Sequence, residues 1–145
     1  LALFLVEPDL RADASLAPRA EVAAALKGMG EAANAHDVER HVGYYARTPN
    51  VTLIADGERI VGWNAIRDKQ QEWWNNGRTD VVYELQGAPE ILELAPTVMV
   101  TTLLMKARRT LPSGELREGR FAVSSIWQKG LDGWKVVYSH ESTTH

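Results

Sequence analysis

The sequence predicts an α+β domain, with helices in its first half packed on a curved antiparallel sheet formed by its second half. Three observations carry this. Apolar residues recur at helical spacing as far as Gly77, and a two-residue alternation replaces that pattern from about Asp80 onward. Breaks at Ala95-Pro96, Pro112-Ser113-Gly114 and Gly130-Leu131-Asp132-Gly133 then divide the second half into long segments. Helices followed by consecutive hairpins make an α+β layer, and a strongly curled sheet leaves a concave face on which a cavity can form.

The elements follow in order. Pro18 suits the first turn of a helix, and Val22, Leu26, Met29 and Ala33 recur along it until Asn34-Ala35-His36. Residues 1–17 are then a leading segment, and residues 18–145 a single domain. Asp37 is a good N-cap for a short second helix with Glu39 in its first turn. Val38, Val42 and Tyr45 share one face, so Tyr45 should point inward. Val51-Thr52-Leu53-Ile54-Ala55 is a short strand closed by Asp56-Gly57. A third helix is expected from about Asn64 to Asn76, stopped by Gly77, with Trp63, Ile66, Gln70 and Trp73 on one face and Trp74 at its border. Strands should run over about Asp80–Leu94, Thr97–Thr110, Arg117–Lys129 and Trp134–Ser142. Segments of that length call for bends or bulges.

Composition excludes several classes of function. A chain of 145 residues can bury a core without disulfides or metals, and there is no cysteine to serve as nucleophile or thiolate ligand. The net charge of -3 offers no basic footprint for nucleic acid. Arg108, Arg109, Arg117 and Arg120 flank one turn, but Glu115 and Glu118 are interleaved, which reads as a solvated hairpin tip. No apolar stretch approaches the ~20 residues of a membrane-spanning helix. Leu1–Val6 is apolar, and Ala12-Asp13-Ala14 resembles an export cleavage site, but Glu7, Pro8, Asp9 and Arg11 interrupt early. A cytoplasmic location is the expectation, with export as the alternative. His36 and His41 miss the i,i+4 spacing of a helical metal pair, and phosphate loops, nucleophile elbows and dinucleotide fingerprints are absent. Neither a metal nor a cofactor is expected.

Several short stretches carry a resemblance. They are His36-Asp37-Val38, Tyr45-Ala46, Gly57 with Gly62-Trp63-Asn64-Ala65-Ile66, Gly119-Arg120-Phe121 with Trp127, Asp132-Gly133-Trp134-Lys135-Val136-Val137, and Ser139-His140-Glu141-Ser142. In this order and spacing, from about Arg19 to Ser142, the chain resembles the nuclear transport factor 2-like superfamily, nearest to its SnoaL-like branch. Its ending also resembles the association domain of calcium/calmodulin-dependent kinase II. The resemblance implies a cone-shaped barrel, a homodimer through the sheet, and a pocket between helices and sheet. It implies no single activity, since members include isomerases, polyketide cyclases, dehydratases, hydrolases, transport adaptors and assembly modules.

Ketosteroid-isomerase-like members use a carboxylate base near the first strand, where this chain has Val51-Thr52-Leu53-Ile54. They also use tyrosine or protonated-acid donors, where Val98 to Met105 offers only threonines, and the acid that the polyketide cyclases use in the middle strands has no clear match. The catalytic candidates left are Glu141, Tyr45 and His140. Neighbours in a strand face opposite sides, which separates Trp134/Val136/Tyr138/His140/Ser142 from Lys135/Val137/Ser139/Glu141. The likeness to the kinase association domain places Glu141 and Ser125 toward the pocket and His140 toward a subunit interface. A buried Glu141 would have its pKa raised. Trp63, Trp73, Trp74, Phe121, Ser125 and Trp127 are the ligand-binding candidates, and an aromatic wall built from them suits a flat hydrophobic ligand. The functional expectation is a small-molecule pocket protein that binds a hydrophobic or polycyclic metabolite, with isomerisation, cyclisation or hydration as the reactions open to it. The alternative is a non-catalytic dimerisation or accessory module. An ionisable side chain inside the cavity separates the two.

Overall fold

The structure, a computed structural model, describes residues 10–144, with side chains from residue 16. The apolar start, Leu1–Val6, lies outside the described residues. Helix α1 spans Leu10–Asn34 and contains Pro18 in its interior, so it begins earlier than Pro18 suggests. The proline forfeits one backbone hydrogen bond, but alanines at positions 12, 14, 17 and 20 are strong helix formers on both sides of it. The helix gives way at His36, whose φ of 55° is left-handed. Helix α2 (Val38–Val42) is capped as expected, the Asp37 side chain accepting from the Arg40 backbone N–H at 3.1 Å. It delivers Val42 and Tyr45 to the core, both buried.

Strands β1 (Thr52–Ala55) and β2 (Glu58–Val61) form a hairpin whose turn residues Asp56 and Gly57 both have positive φ, the geometry a type I′ turn requires. The return strand β2 was not expected. It buries only Ile60, so its four residues carry no readable alternation. Helix α3 (Trp63–Trp73) ends before Asn76 because Asn75 and Asn76 turn left-handed, a conformation asparagine tolerates. The segment expected as one strand over Asp80–Leu94 is two, β3 (Val82–Leu85) and β4 (Glu90–Ala95), separated at Gly87 (φ 77°) and Pro89. Both pair with the same strand, β5 (Val98–Thr110), so they act as one bent edge. The long strands β6 (Leu116–Gly130) and β7 (Gly133–Thr143) complete the sheet.

The strand order is β2-β1-β7-β6-β5-β3, with β4 also on β5. The meander from β3 to β7 is antiparallel as expected. Strand β1 adds one parallel pairing, with β7, which makes the sheet mixed and sets Ala55 opposite Glu141. Helices cover the inner face, where Val22, Val42, Leu53, Ile66, Met99, Trp127 and Val136 are almost fully buried. No helix among the described residues is long and apolar enough to cross a membrane.

A bulge in the last hairpin positions the candidate site. Ile126 pairs with Tyr138 but Trp127 pairs with Val136, leaving Val137 unpaired. Strict alternation therefore fails at this point. Trp134 and Val136 face inward before the bulge, Ser139 and Glu141 face inward after it, and Tyr138 and His140 turn outward. The two faces expected for this strand exchange members at Val137.

Candidate functional site

Between α1, α3 and the inner face of the sheet lies a cavity of about 840 Å³. Its walls are mostly apolar. Alternation along β5 and β6 sends Leu103, Met105, Phe121 and Val123 into it, while α1 contributes Leu26 and Met29. Trp73 and Trp74 close it from the end of α3, with Tyr83 of β3 beside them. The Trp74 indole N–H donates to the Tyr83 hydroxyl at 2.8 Å, and the Tyr83 ring meets Phe121 edge-on at 5.9 Å. These contacts make one aromatic wall.

The polar groups around Glu141 are arranged. Glu141 reaches it from β7; burial pushes its carboxyl up to about 7, and the Asp56 carboxylate pushes in the same direction. Asp56 is itself fixed, accepting from the Thr143 hydroxyl at 2.7 Å. Tyr45 hydrogen-bonds Ser139, whose hydroxyl meets that of Ser125 at 3.0 Å. Burial and then the charge of Glu141 hold the Tyr45 phenol far above its ordinary range, so it keeps its proton throughout the physiological range. Burial pushes His41 down to about 4, so its imidazole is neutral. Its Nδ1 lies 3.1 Å from the Met29 carbonyl, which can only accept. The proton therefore sits on Nδ1, and Nε2 is left as an acceptor. The ring meets Trp74 edge-on at 4.9 Å.

Of the residues singled out in the sequence, the structure brings Glu141, Tyr45, Trp73, Trp74, Phe121 and Ser125 together around this cavity. It separates the other three. His140 is exposed on the outer face, because it is adjacent in the strand to inward-facing Glu141. Trp127 is fully buried beneath the sheet's inner face, donating its indole N–H to Thr101 at 3.0 Å, and does not line the cavity. Trp63 donates to the Val42 carbonyl at 3.0 Å and stacks under the Arg47 guanidinium at 4.2 Å, also away from the cavity.

Sequence reasoning missed His41, Asp56, Gln70 and Tyr83 as cavity groups. Gln70 carried a usable signal, since an amide on the otherwise aromatic and aliphatic face of α3 is unusual, and it is buried there. Asp56 had none, because only the parallel pairing of β1 with β7 sets it near Glu141. Among the described residues, no three His, Cys, Asp or Glu side chains gather as a metal site. The arrangement offers a carboxyl able to give or take a proton near neutrality, neutral hydrogen-bonding groups around it, and an apolar chamber.

A family model described as a SnoaL-like domain matches residues 22–145. Among solved structures, the chain is similar to a nuclear transport factor 2-like superfamily protein from Salmonella enterica serovar Typhimurium, with 16% identity, 90% of this chain and 94% of that one covered, and a TM-score of 0.78. It is also similar to a proposed dehydratase of the NTF2-like family from Streptomyces avermitilis, with 16% identity, coverage of 88% and 97%, and a TM-score of 0.75. The association domain of CaMKII from C. elegans matches with 16% identity, coverage of 90% and 98%, and a TM-score of 0.72. At these identities the likeness shows the fold alone. No protein of curated function matches the chain.

Proposed function

The chain belongs to the SnoaL-like domain family, whose model takes in residues 22–145, and on that premise we propose that it is a small-molecule pocket protein in which Glu141 acts as a proton-transfer group on a hydrophobic or polycyclic ligand. The observation that carries this reading is Glu141 itself. A carboxyl facing an apolar chamber is expensive to ionise, and burial holds its pKa at about 7, where general acid–base work is most efficient. Isomerisation, cyclisation and hydration all need a proton moved next to a carbonyl or hydroxyl, and Tyr45, held as a neutral phenol, can hydrogen-bond the oxygen that gains charge. Trp73, Trp74 and Phe121 would then hold the flat body of the ligand.

The test is a thermal-shift screen of aromatic and polyketide-like compounds. A true ligand at about a hundred times its Kd is expected to add about 2.7 kcal/mol of stability. A panel in which no compound stabilises the protein would contradict the reading.

Dimerisation belongs to the same proposal. Val61, Leu92, Leu94, Leu104 and Tyr138 are exposed on the outer face of the sheet, and covering them favours a second copy of the chain. Sedimentation at micromolar concentration should give a dimer; a monomer there would refute the proposed interface.

A further inference from the structure

One charged feature at the far end of the cavity is the solvated hairpin tip, where Arg108, Arg109, Arg117 and Arg120 are all exposed. The strand register adds a second meaning to it. Arg109 of β5 stands directly opposite Arg117 of β6, on the inward side, and both line the cavity. Neither interleaved acid, Glu115 or Glu118, forms an ion pair with them. Alternation sends Glu118 to the outer side, opposite Arg108, where it forms an ion pair with Lys106 at 3.2 Å although it reaches the cavity rim. Like charges directly opposite on one face of a sheet repel each other. Neither Arg109 nor Arg117 takes part in an ion pair among the described residues. Asp80 feels the charge of Arg109, its carboxyl being held below its usual range by hydrogen bonds from Thr110 first and by that charge last.

We propose that this pair is a headgroup site, and that the cavity takes an elongated amphipathic carboxylic acid with its carboxylate between Arg109 and Arg117. The proposal rests on the pocket reading above and narrows it to a class of ligand. Four features support it. Neither guanidinium has an ion-pair partner among the described residues, and Lys27 and Arg120 add to the positive lining, which favours an anionic headgroup. Planar guanidinium forks match carboxylate geometry in bidentate fashion. The wall between the arginines and the floor is apolar, built from Leu103, Met105, Ala107, Phe121 and Val123. The opposite end carries Glu141 and Asp56, which repel a carboxylate and so orient the ligand with its acidic end toward the hairpin.

The register also sets the length. Glu141 pairs with Val123, and Arg117 lies six positions earlier on the same strand. At about 3.3 Å per residue this is about 20 Å along β6. A ligand that spans from the arginines to Glu141 is therefore long, with a chain or fused-ring body rather than a single small ring.

The test is a titration followed by intrinsic tryptophan fluorescence, since Trp73 and Trp74 line the cavity. Wild type and the double variant Arg109→Gln/Arg117→Gln are each titrated with dodecanoate, dodecanol and dodecyl phosphate. Wild type is expected to prefer dodecanoate over dodecanol by about tenfold or more, the scale of one charge-assisted bond. The double variant should lose that preference while binding dodecanol as before, which also shows that it has folded. If wild type binds both equally, or the preference survives in the double variant, the headgroup site is overturned and the pocket reading stands. Tighter binding of dodecyl phosphate than of dodecanoate would overturn the carboxylate assignment. Binding of none of the three would overturn the headgroup site and the pocket reading together.

Discussion

Trp127→Ala is expected to destabilise the protein by about 3–5 kcal/mol, the cost of emptying a large aromatic site in a packed core. Trp127 is fully buried and packs with Met99, Leu53 and Val136 in the main core. The substitution also removes the donor that satisfies the Thr101 hydroxyl, which is buried and bonded to the indole at 3.0 Å. Urea denaturation monitored by circular dichroism measures the loss directly. A change below about 1 kcal/mol would be incompatible with a core position. The residue was expected among the ligand contacts, so the experiment also discriminates between roles. A tryptophan on the cavity wall would weaken ligand binding with little change in stability, whereas Trp127 in the core does the reverse.

That difference shows what a sequence of this kind conceals. The helices, the Asp37 cap and the three long strands were legible because each has a local cause: spacing of apolar residues, a capping side chain, or a turn dipeptide. Features with non-local causes were not. Pro18 reads as a helix start, yet the alanines around it extend α1 past it. The Gly87–Pro89 break divides a segment whose two halves still pair with the same strand, so the alternation reads through it. The bulge at Val137 is the most consequential case. Continued alternation would bring Tyr138 and His140 inward with Trp134 and Val136. The extra residue instead turns those two out and brings in Ser139 and Glu141. The inward position of Glu141 was reached through family resemblance, while the physical reason for it is this bulge. The Arg109 and Arg117 pair was visible as composition, but its shared face depends on the register of β5 with β6.

Glu141→Gln carries the second large effect. Folded Glu141 releases its proton at about pH 7, against an ordinary value of 4.5. Between these values the folded state binds more protons than the unfolded chain, so stability falls as pH rises through that window and levels off above it. Below about pH 4.5 both states are protonated and the residue contributes no slope. At about 1.4 kcal/mol per unit, with a discount for solvent reaching the carboxyl through the cavity, ionising Glu141 costs of the order of 2 kcal/mol at pH 8. Glutamine keeps the shape without the charge. The variant should therefore match wild type at pH 4.5, exceed it by about that amount at pH 8, and lose any proton-transfer activity at both. Parallel stability profiles for the two proteins would remove the physical basis of the assignment.

The most direct measurement is the titration of the Glu141 side chain itself. Carbon-13 NMR of protein labelled at the glutamate carboxyls, with Glu141→Gln to identify the resonance, reads the ionisation of this one group in the folded state. An inflection at about pH 7 is the expected result. An inflection near 4.5, the ordinary glutamate value, would mean that the carboxyl is solvated rather than held in an apolar chamber, and would contradict the acid–base role of the cavity.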